Sequence, residues 1–382
     1  MSRALRIVFA APAYWPAKAF GGPIPVMRAL AFELAGLGHH VDVVTTTLTR
    51  IGERPSRATR LAAVDGTTVR YLGTPLRFRW FGFAPSLVRE LGALPTPDVV
   101  HVFGYRDWVS TVTARWCQRN HVPYLFEALG MFRPKLRKVL LKRALDDTLY
   151  RNVPRCAALA VAASEIERNE LAAVIPAERI TVRPNGFPAP YDPPPRPGPL
   201  RARLSLDADT PLVLSLGRIA HGKGLEHLVA AVGRLDAVQL AIVGPDDGHG
   251  LTSELIRLRD RLGLGRRVHL LGPVDSPADL FGDADVLALP SAHENFGMVA
   301  AEAAAAGVAT ILTDRCGIAE VLRDRGALVV PYGEASLHGA LGRLLADGGL
   351  RAELGRGGRK VAAELSWSNV AQLQAEIYER VV

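Results

Sequence analysis

Cysteine is scarce in this chain. Its 382 residues include three, Cys117, Cys156 and Cys316, far apart and without a CxxC pair. Such a set excludes a disulfide framework and a thiolate zinc site, and it predicts a reducing, cytoplasmic setting. Long apolar runs are missing too, since none reaches the about 18 residues of a membrane-spanning helix. Acidic residues are thin in one half. Residues 1–190 carry 14 Asp+Glu against 26 Lys+Arg, net +12, while the remainder carries 24 against 20, net −4. A basic half calls for an anionic partner: phosphate, nucleic acid or an anionic membrane surface. No RNA- or DNA-binding motif accompanies the charge, so nucleic acid is not expected.

What is present is a rhythm. Nearly half of the residues are hydrophobic and evenly spread, enough for a core in each of two domains. The N-terminal "RIVFAAPAY" has strand length, and Tyr14-Trp15-Pro16 is a poor cleavage site, so this stretch reads as a first β-strand rather than a signal peptide. "PVMRALAFELAGLG" follows with helical apolar spacing and a glycine stop. "HHVDVVTT", "PDVVHVFG", "PYLFEA" and "CAALAVAAS" read as further buried strands. The proline-dense "RPNGFPAPYDPPPRPGPL", residues 183–200, reads as a stiff linker at a domain boundary. Alternation then restarts: "PLVLSLG", "VQLAIVG", "RVHLLG", "DVLALPS" and "ATILTD" are strands, with helices between them. The pattern predicts an α/β protein of two parallel, doubly wound sheets.

Three stretches could carry chemistry. In "SAHENFGMVAAEAAAAG", residues 291–307, a turn after a buried strand leads into an alanine-rich helix, with Glu294 before the helix and Glu302 inside it. A turn after a parallel strand lies at the carboxyl edge of the sheet, and a helix N-terminus offers free N–H groups to an anion. Gly297 lets a ligand approach the backbone closely. Against this stands a plain reading: Glu294 caps the helix and Glu302 is a solvated charge. Glu302 lies in an otherwise apolar helix, where a charge is rarely buried without purpose. In "LVLSLGRIAHGKGLEHLVAAV", residues 212–232, Arg218 and Lys223 sit on a glycine-flanked loop before a helix, suited to a diphosphate. Gly217 to Lys223 matches GxxxxGK, but Gly224 replaces the Ser or Thr of a P-loop nucleotide hydrolase. Gly21-Gly22, ahead of the first long helix, is a position for phosphate approach or a simple turn, and it lacks GxGxxG spacing.

Taken together, Glu294-x7-Glu302, Arg218 with Lys223, and Gly21-Gly22 resemble the retaining GT-B glycosyltransferases of glycosyltransferase family 4. "RPNGF", "AIVGP", "VHLLGPV", "ADVLALPSAHENFGMVAAEAAAAGVATILTD" and the terminal "SWSNVAQLQAEIYERV" look like that family's landmarks in its order. The resemblance is dense in the C-terminal half and looser before it. It implies two Rossmann-like domains facing each other across a cleft: residues 1–188 for an acceptor, 189–365 for a nucleotide sugar, and a helix at 366–382 crossing back to the first domain. It implies that Glu302 binds ribose hydroxyls, Arg218 and Lys223 a diphosphate, and Glu294 with Asn295, Phe296 and Gly297 the transferred sugar. Gly21 and Gly22 would approach the phosphates, and Val274 the base. Catalysis would fall to Glu294, Arg218, Lys223 and Glu127, without metal or cofactor. The implied reaction moves a hexose from a UDP- or GDP-linked donor to a hydroxyl acceptor, lipid-linked or not, in cell-envelope polysaccharide or glycolipid synthesis. A small-molecule or free-sugar acceptor is the alternative within the fold, and a P-loop-like hydrolase the alternative outside it.

The N-terminal half departs from the pattern. Where many family members end a strand on a histidine, "PYLFEALGMFRP" presents Glu127, read either as an acceptor ligand or weak base, or as the partner of a nearby arginine. His101 is read as an acceptor contact or a packed core histidine, and Asp107 in the same loop as a lesser acceptor candidate. Asp283-Ala284-Asp285 has the form of a metal-binding DxD but lies between a helix end and a buried strand, so a structural role is expected. "PKLRKVLLKRAL", with Lys135, Arg137, Lys138 and Lys142, and "RFRWFGF", with Arg77 and Arg79 among aromatics, are read as solvated basic faces or as peripheral contacts with anionic lipid. The second stretch reads as a loop that lines an acceptor site or touches a membrane.

Overall fold

The computed structural model describes residues 3–50, 52–78, 81–133 and 144–382. They form two compact units, one of residues up to Gly186 together with Trp367–Val382, the other of Phe187–Ser366. These breaks lie two residues and one residue from the expected boundaries at 188/189 and 365/366.

The first unit is built on β1 (Arg6–Ala11), β2 (His40–Thr46), β3 (Arg60–Val64), β4 (Thr67–Leu72), β7 (Val99–Phe103), β8 (Tyr124–Glu127), β9 (Leu159–Ala162) and β10 (Ile180–Val182). Their order is β10-β9-β8-β7-β1-β2-β4-β3. All neighbours are parallel except β3 with β4. β7, β8 and β9 are buried at every residue, as a parallel strand covered on both faces must be. The helix Pro23–Gly36 starts with proline in its first turn, where a missing N–H costs nothing. The C-terminal helix Trp367–Glu379 packs on it and buries Val370, Ala371, Gln374, Ala375, Ile377 and Tyr378. The stretch read as a loop, "RFRWFGF", instead borders a small antiparallel hairpin of β5 (Leu76–Phe78) and β6 (Phe81–Phe83). Its Arg79, like most of "PKLRKVLLKRAL" with Lys135, Arg137, Lys138 and Lys142, lies outside the described residues.

The second unit holds six parallel strands: β11 (Leu212–Leu216), β12 (Gln239–Val243), β13 (Val268–Leu271), β14 (Val286–Leu289), β15 (Thr310–Thr313) and β16 (Ala327–Val330). Their order is β13-β12-β11-β14-β15-β16. Chain direction across the sheet reverses between β11 and β14, which makes their carboxyl ends the topological switch point.

The break between the units falls within the proline-dense stretch 183–200, as expected of a stiff boundary segment, and residues 187–200 are in addition fastened to the second unit. Phe187 is fully buried, its N–H donates to Leu365 O at 2.8 Å, and its ring meets that of Phe296 edge-on at 6.2 Å. Arg196 donates to Gly282 O and Asp285 Oδ1 at 2.8 and 2.7 Å. Proline stiffness here serves a strap fastened to the second sheet.

Candidate active site

At the switch point of the second unit two loops meet. One leaves β11 at Gly217 and reaches the helix Leu225–Gly233; the other leaves β14 at Pro290 and reaches the helix Met298–Ala306. The Ala292 N–H donates to Gly222 O at 2.9 Å. Gly224, at φ 66°, has its α-carbon so close to this second loop that a Cβ would stand 2.0 Å from Pro290 O. No Ser or Thr fits there, which is the physical reason the GxxxxGK run is not a P-loop.

The joined loops bring Lys223 and Glu294 together. Lys223 Nζ pairs with Glu294 Oε2, and Ser291 Oγ donates to the same oxygen at 3.4 Å. Both charges are about three-quarters buried, at 25% and 22% side-chain exposure. The backbone of Glu294 is pinned from both sides, its N–H to Arg315 O and its C=O to the Gly317 N–H, each at 3.0 Å. Phe296, nearly buried, anchors the loop through the Ile318 N–H on its carbonyl at 2.8 Å. Asn295 lies between them on the same turn. Gly297, at φ 114°, takes the left-handed turn into the helix, and a Cβ there would crowd Leu289 at 3.0 Å.

Arg218 stands exposed beside this pair and makes no hydrogen bond or ion pair among the described residues. It lines a shallow concavity with Ser215, Gly217, Lys223, Leu225 and Pro290. An unpaired guanidinium next to a lysine already matched to a carboxylate leaves the site with net positive charge, the condition for holding an anion. Val274, half-buried, follows β13 by three residues at the same carboxyl edge.

Glu302 lies on the only face of its helix that is not wholly buried, shared with Met298 and Val299. It has no ion-pair partner among the described residues, and burial raises its carboxyl to about 7. A carboxyl raised on folding binds a proton that the unfolded chain has released, so stability falls as pH rises from the ordinary carboxylate range through 7. The Glu302→Gln variant is therefore expected to melt a few degrees higher than the parent at about pH 8, from a gain on the order of 1–3 kcal/mol, and equally at about pH 5. Thermal melts at both values check this; a variant less stable than the parent at the higher pH would contradict it.

The first unit corrects three expectations. Glu127 and His101 are wholly buried, with no surface to offer an acceptor. Arg183 Nη2 donates to Glu127 Oε2 at 2.6 Å, so of the two readings of Glu127 the arginine partner is the one realised. His101 Nε2 lies 3.2 Å from the same oxygen, and its Nδ1 is 2.7 Å from Tyr378 Oη. Burial pushes the His101 pKa down despite Glu127, so the ring is neutral, a packed core histidine stacked 4.0 Å from Phe103. Asp107 is the N-cap of the helix Trp108–Asn120, accepting from Ser110 N at 2.8 Å and Ser110 Oγ at 2.7 Å. Gly21 and Gly22 join a short turn to the helix Pro23–Gly36; Gly21, at φ 79°, has open space around its α-carbon.

The DxD form is occupied structurally. Asp283 accepts from the N–H groups of Gly198, Leu200 and Arg201 at 2.6, 2.8 and 3.1 Å, and Asp285 from Leu212 N and Arg201 Nη2 at 2.8 and 3.1 Å. Sequence reasoning missed Arg183 and Tyr378, the partners of Glu127 and His101. It also missed Arg315, whose carbonyl holds Glu294 and whose guanidinium lies 4.9 Å over Tyr332. A lone arginine closing the short strand "ITV" was the available signal for Arg183.

The fold and the site can now be set beside known proteins. Over 99% of this chain and 100% of the other, the structure aligns with Anabaena HepE in complex with UDP, at a TM-score of 0.74 and 17% identity. That likeness defines the class: two Rossmann-like units in the GT-B architecture of glycosyltransferases. Residues 199–361 match the family described as glycosyl transferases group 1, and residues 21–186 match the glycosyl transferase 4-like domain. The chain belongs to this family of glycosyltransferases. A D-inositol 3-phosphate glycosyltransferase of Xylanimonas cellulosilytica is 36% identical over 213 residues, 53% of this chain and 51% of that protein. The matched stretch thus spans about half the length of that relative. An uncharacterized glycosyltransferase of Methanocaldococcus jannaschii is 26% identical over 96% of each chain.

Proposed function

We propose that the protein transfers a hexose from a nucleotide-diphosphate sugar to a hydroxyl acceptor, with retention of anomeric configuration. The observation that carries this reading is the unpaired Arg218 beside the Lys223–Glu294 pair at the β11/β14 switch point. A sugar diphosphate already contains a good leaving group, so the protein's work is to stabilise the charge that builds on it. Arg218 and Lys223 do so electrostatically. Glu294 and the backbone of Asn295, Phe296 and Gly297 hold the sugar hydroxyls, and the helix beginning at Met298 turns its N-terminus to the phosphates. Glu302 accepts from the ribose hydroxyls as a carboxylate, and Val274 borders the base. No step needs a resident metal. The complex of HepE with UDP makes uridine the first base to test.

The test is calorimetric titration with UDP, GDP and ADP and with their sugars. One nucleotide is expected to bind, with affinity falling below about pH 7 as Glu302 takes up a proton. Equal failure of all three bases would overturn the reading. A polymer or lipid-linked acceptor fits the basic first unit. The name of the D-inositol 3-phosphate relative supports a second reading, a small phosphorylated acceptor, and incubation of the donor with such compounds separates the two.

A further inference from the structure

The hairpin β5–β6 has one face that the reaction does not use. In its register Leu76 opposes Phe83 and Phe78 opposes Phe81, which puts all four on one side, while Arg77 and Gly82 share the other. The Arg77–Gly82 side is the inner one. A Cβ on Gly82 would stand 2.8 Å from the Leu48 side chain, and Arg77 Nη1 donates to Arg50 O at 2.8 Å. The four apolar side chains therefore lie on the outer side, Leu76 and Phe78 exposed and Phe81 and Phe83 half-buried. Leu76 and Phe78 are 67% and 75% exposed. Phe83 is steadied by an edge-on contact with Trp108 at 4.5 Å. Single exposed apolar residues need no explanation; a pair of them, Leu76 and Phe78, on one face of a hairpin and backed by two half-buried phenylalanines does.

The hairpin is joined to an arginine-rich loop at the carboxyl ends of β2 and β4. Thr47 Oγ1 and the Thr74 N–H both donate to Ser56 O, at 2.7 and 2.9 Å, and the Gly73 N–H donates to Thr59 Oγ1 at 3.0 Å. The Gly73 α-carbon lies so near Arg57 O that a Cβ would be 2.1 Å away. The loop exposes Arg50, Arg54 and Arg57 against a single acid, Glu53, which is matched to Arg50 at 3.3 Å, while Arg60 at the start of β3 stacks over Tyr71 at 3.9 Å, leaving Arg54 and Arg57 unmatched among the described residues. An apolar aromatic face bordered by unmatched arginines has the chemistry of an interfacial anchor: rings enter the headgroup region and guanidinium groups meet phosphates.

We infer that this hairpin and loop dock the protein on an anionic bilayer surface. Charge complementarity favours a membrane over a second copy, because the face would meet its own arginines in a symmetric pair. The inference does not depend on which donor the second unit binds. It is tested with the full chain by co-sedimentation with vesicles of phosphatidylcholine and phosphatidylglycerol, against vesicles of phosphatidylcholine alone. Binding is expected only to the mixed vesicles and to weaken with salt. Phe78→Ser is expected to abolish most of it, and Arg54→Gln with Arg57→Gln to weaken it by roughly 25-fold, about fivefold for each arginine. All these positions are exposed, so melting temperature and nucleotide binding stay at parental values. Should Phe78→Ser not fold, the arginine pair still decides. Binding that ignores both changes, equal binding to neutral vesicles, or no sedimentation would overturn the inference. So would self-association lost in Phe78→Ser, or arginine-dependent RNA binding in place of vesicle binding.

Discussion

Lys223→Ala is expected to lower turnover by roughly 10²–10³ at saturating donor, with a smaller effect on donor affinity. The lysine does two things at once. In the proposed reaction its ammonium would meet the charge that grows on the leaving diphosphate as the anomeric C–O bond breaks, an interaction stronger in the transition state than in the ground state. It also matches Glu294, the residue assigned to the sugar, through their shared pair. Without it, a largely buried carboxylate faces an incoming diphosphate with no cation between them, and like charges in a poorly hydrated site repel strongly. Arg218 remains and retains part of the ground-state affinity, which is why kcat falls more than binding. The measurement is the initial rate of nucleoside diphosphate release, paired with a titration. Turnover within about threefold of the parent would remove Lys223 from the reaction.

Arg183→Met is expected to destabilise the first unit by about 3–5 kcal/mol. Arg183 and Glu127 are both fully buried, and removing one strands the other's charge in the core. In the parent, burial pushes the Glu127 carboxyl up, but the Arg183 charge and His101 outweigh it and hold it below the ordinary range. The parent therefore keeps this contribution at all pH values above the ordinary carboxyl pKa and loses it only in acid. In the variant only His101 still opposes burial, so the carboxyl titrates higher than in the parent and the variant recovers part of its stability as pH is lowered from about 8 to about 5. Combining Arg183→Met with Glu127→Gln removes both charges and is expected to restore most of the loss. Thermal melts of the parent and the two variants across pH check this. A single variant as stable as the parent at neutral pH, or a double variant no better than the single, would show that the pair does not matter to the core.

These two expectations differ in how they were reached. The surroundings of Lys223 were legible in the chain because their logic is local. A strand of apolar residues, a glycine, a cation and a helix within some twenty positions can only become a strand–turn–helix, and the parallel rhythm puts that turn at a carboxyl edge. The same holds for residues 291–307, where Gly297 and Gly307 bracket the helix as glycines in the left-handed region do. Glu302 announced itself as a charge among alanines.

Only the tertiary structure decided the rest, because it joins residues whose separation carries no pattern. Glu127 meets Arg183 across 56 positions, and the alternative of an exposed acceptor ligand was equally consistent with the strand that carries it. His101 is closed in by Tyr378, 277 positions away, from a helix that the sequence shows but does not dock side chain by side chain. Asp283 is expected to be structural from its place between a helix end and a strand, but only the fold shows that its partners are the Gly198, Leu200 and Arg201 N–H groups, more than 80 positions away. The prolines of residues 187–200 announce stiffness and say nothing of what the strap is fastened to. The hairpin's outward apolar face depends on register, since a slip of one residue would have turned Leu76 and Phe78 inward. Periodicity determined the two sheets, their helices and the loops that carry charge; burial and long-range pairing determined which of those charges remain open to a ligand.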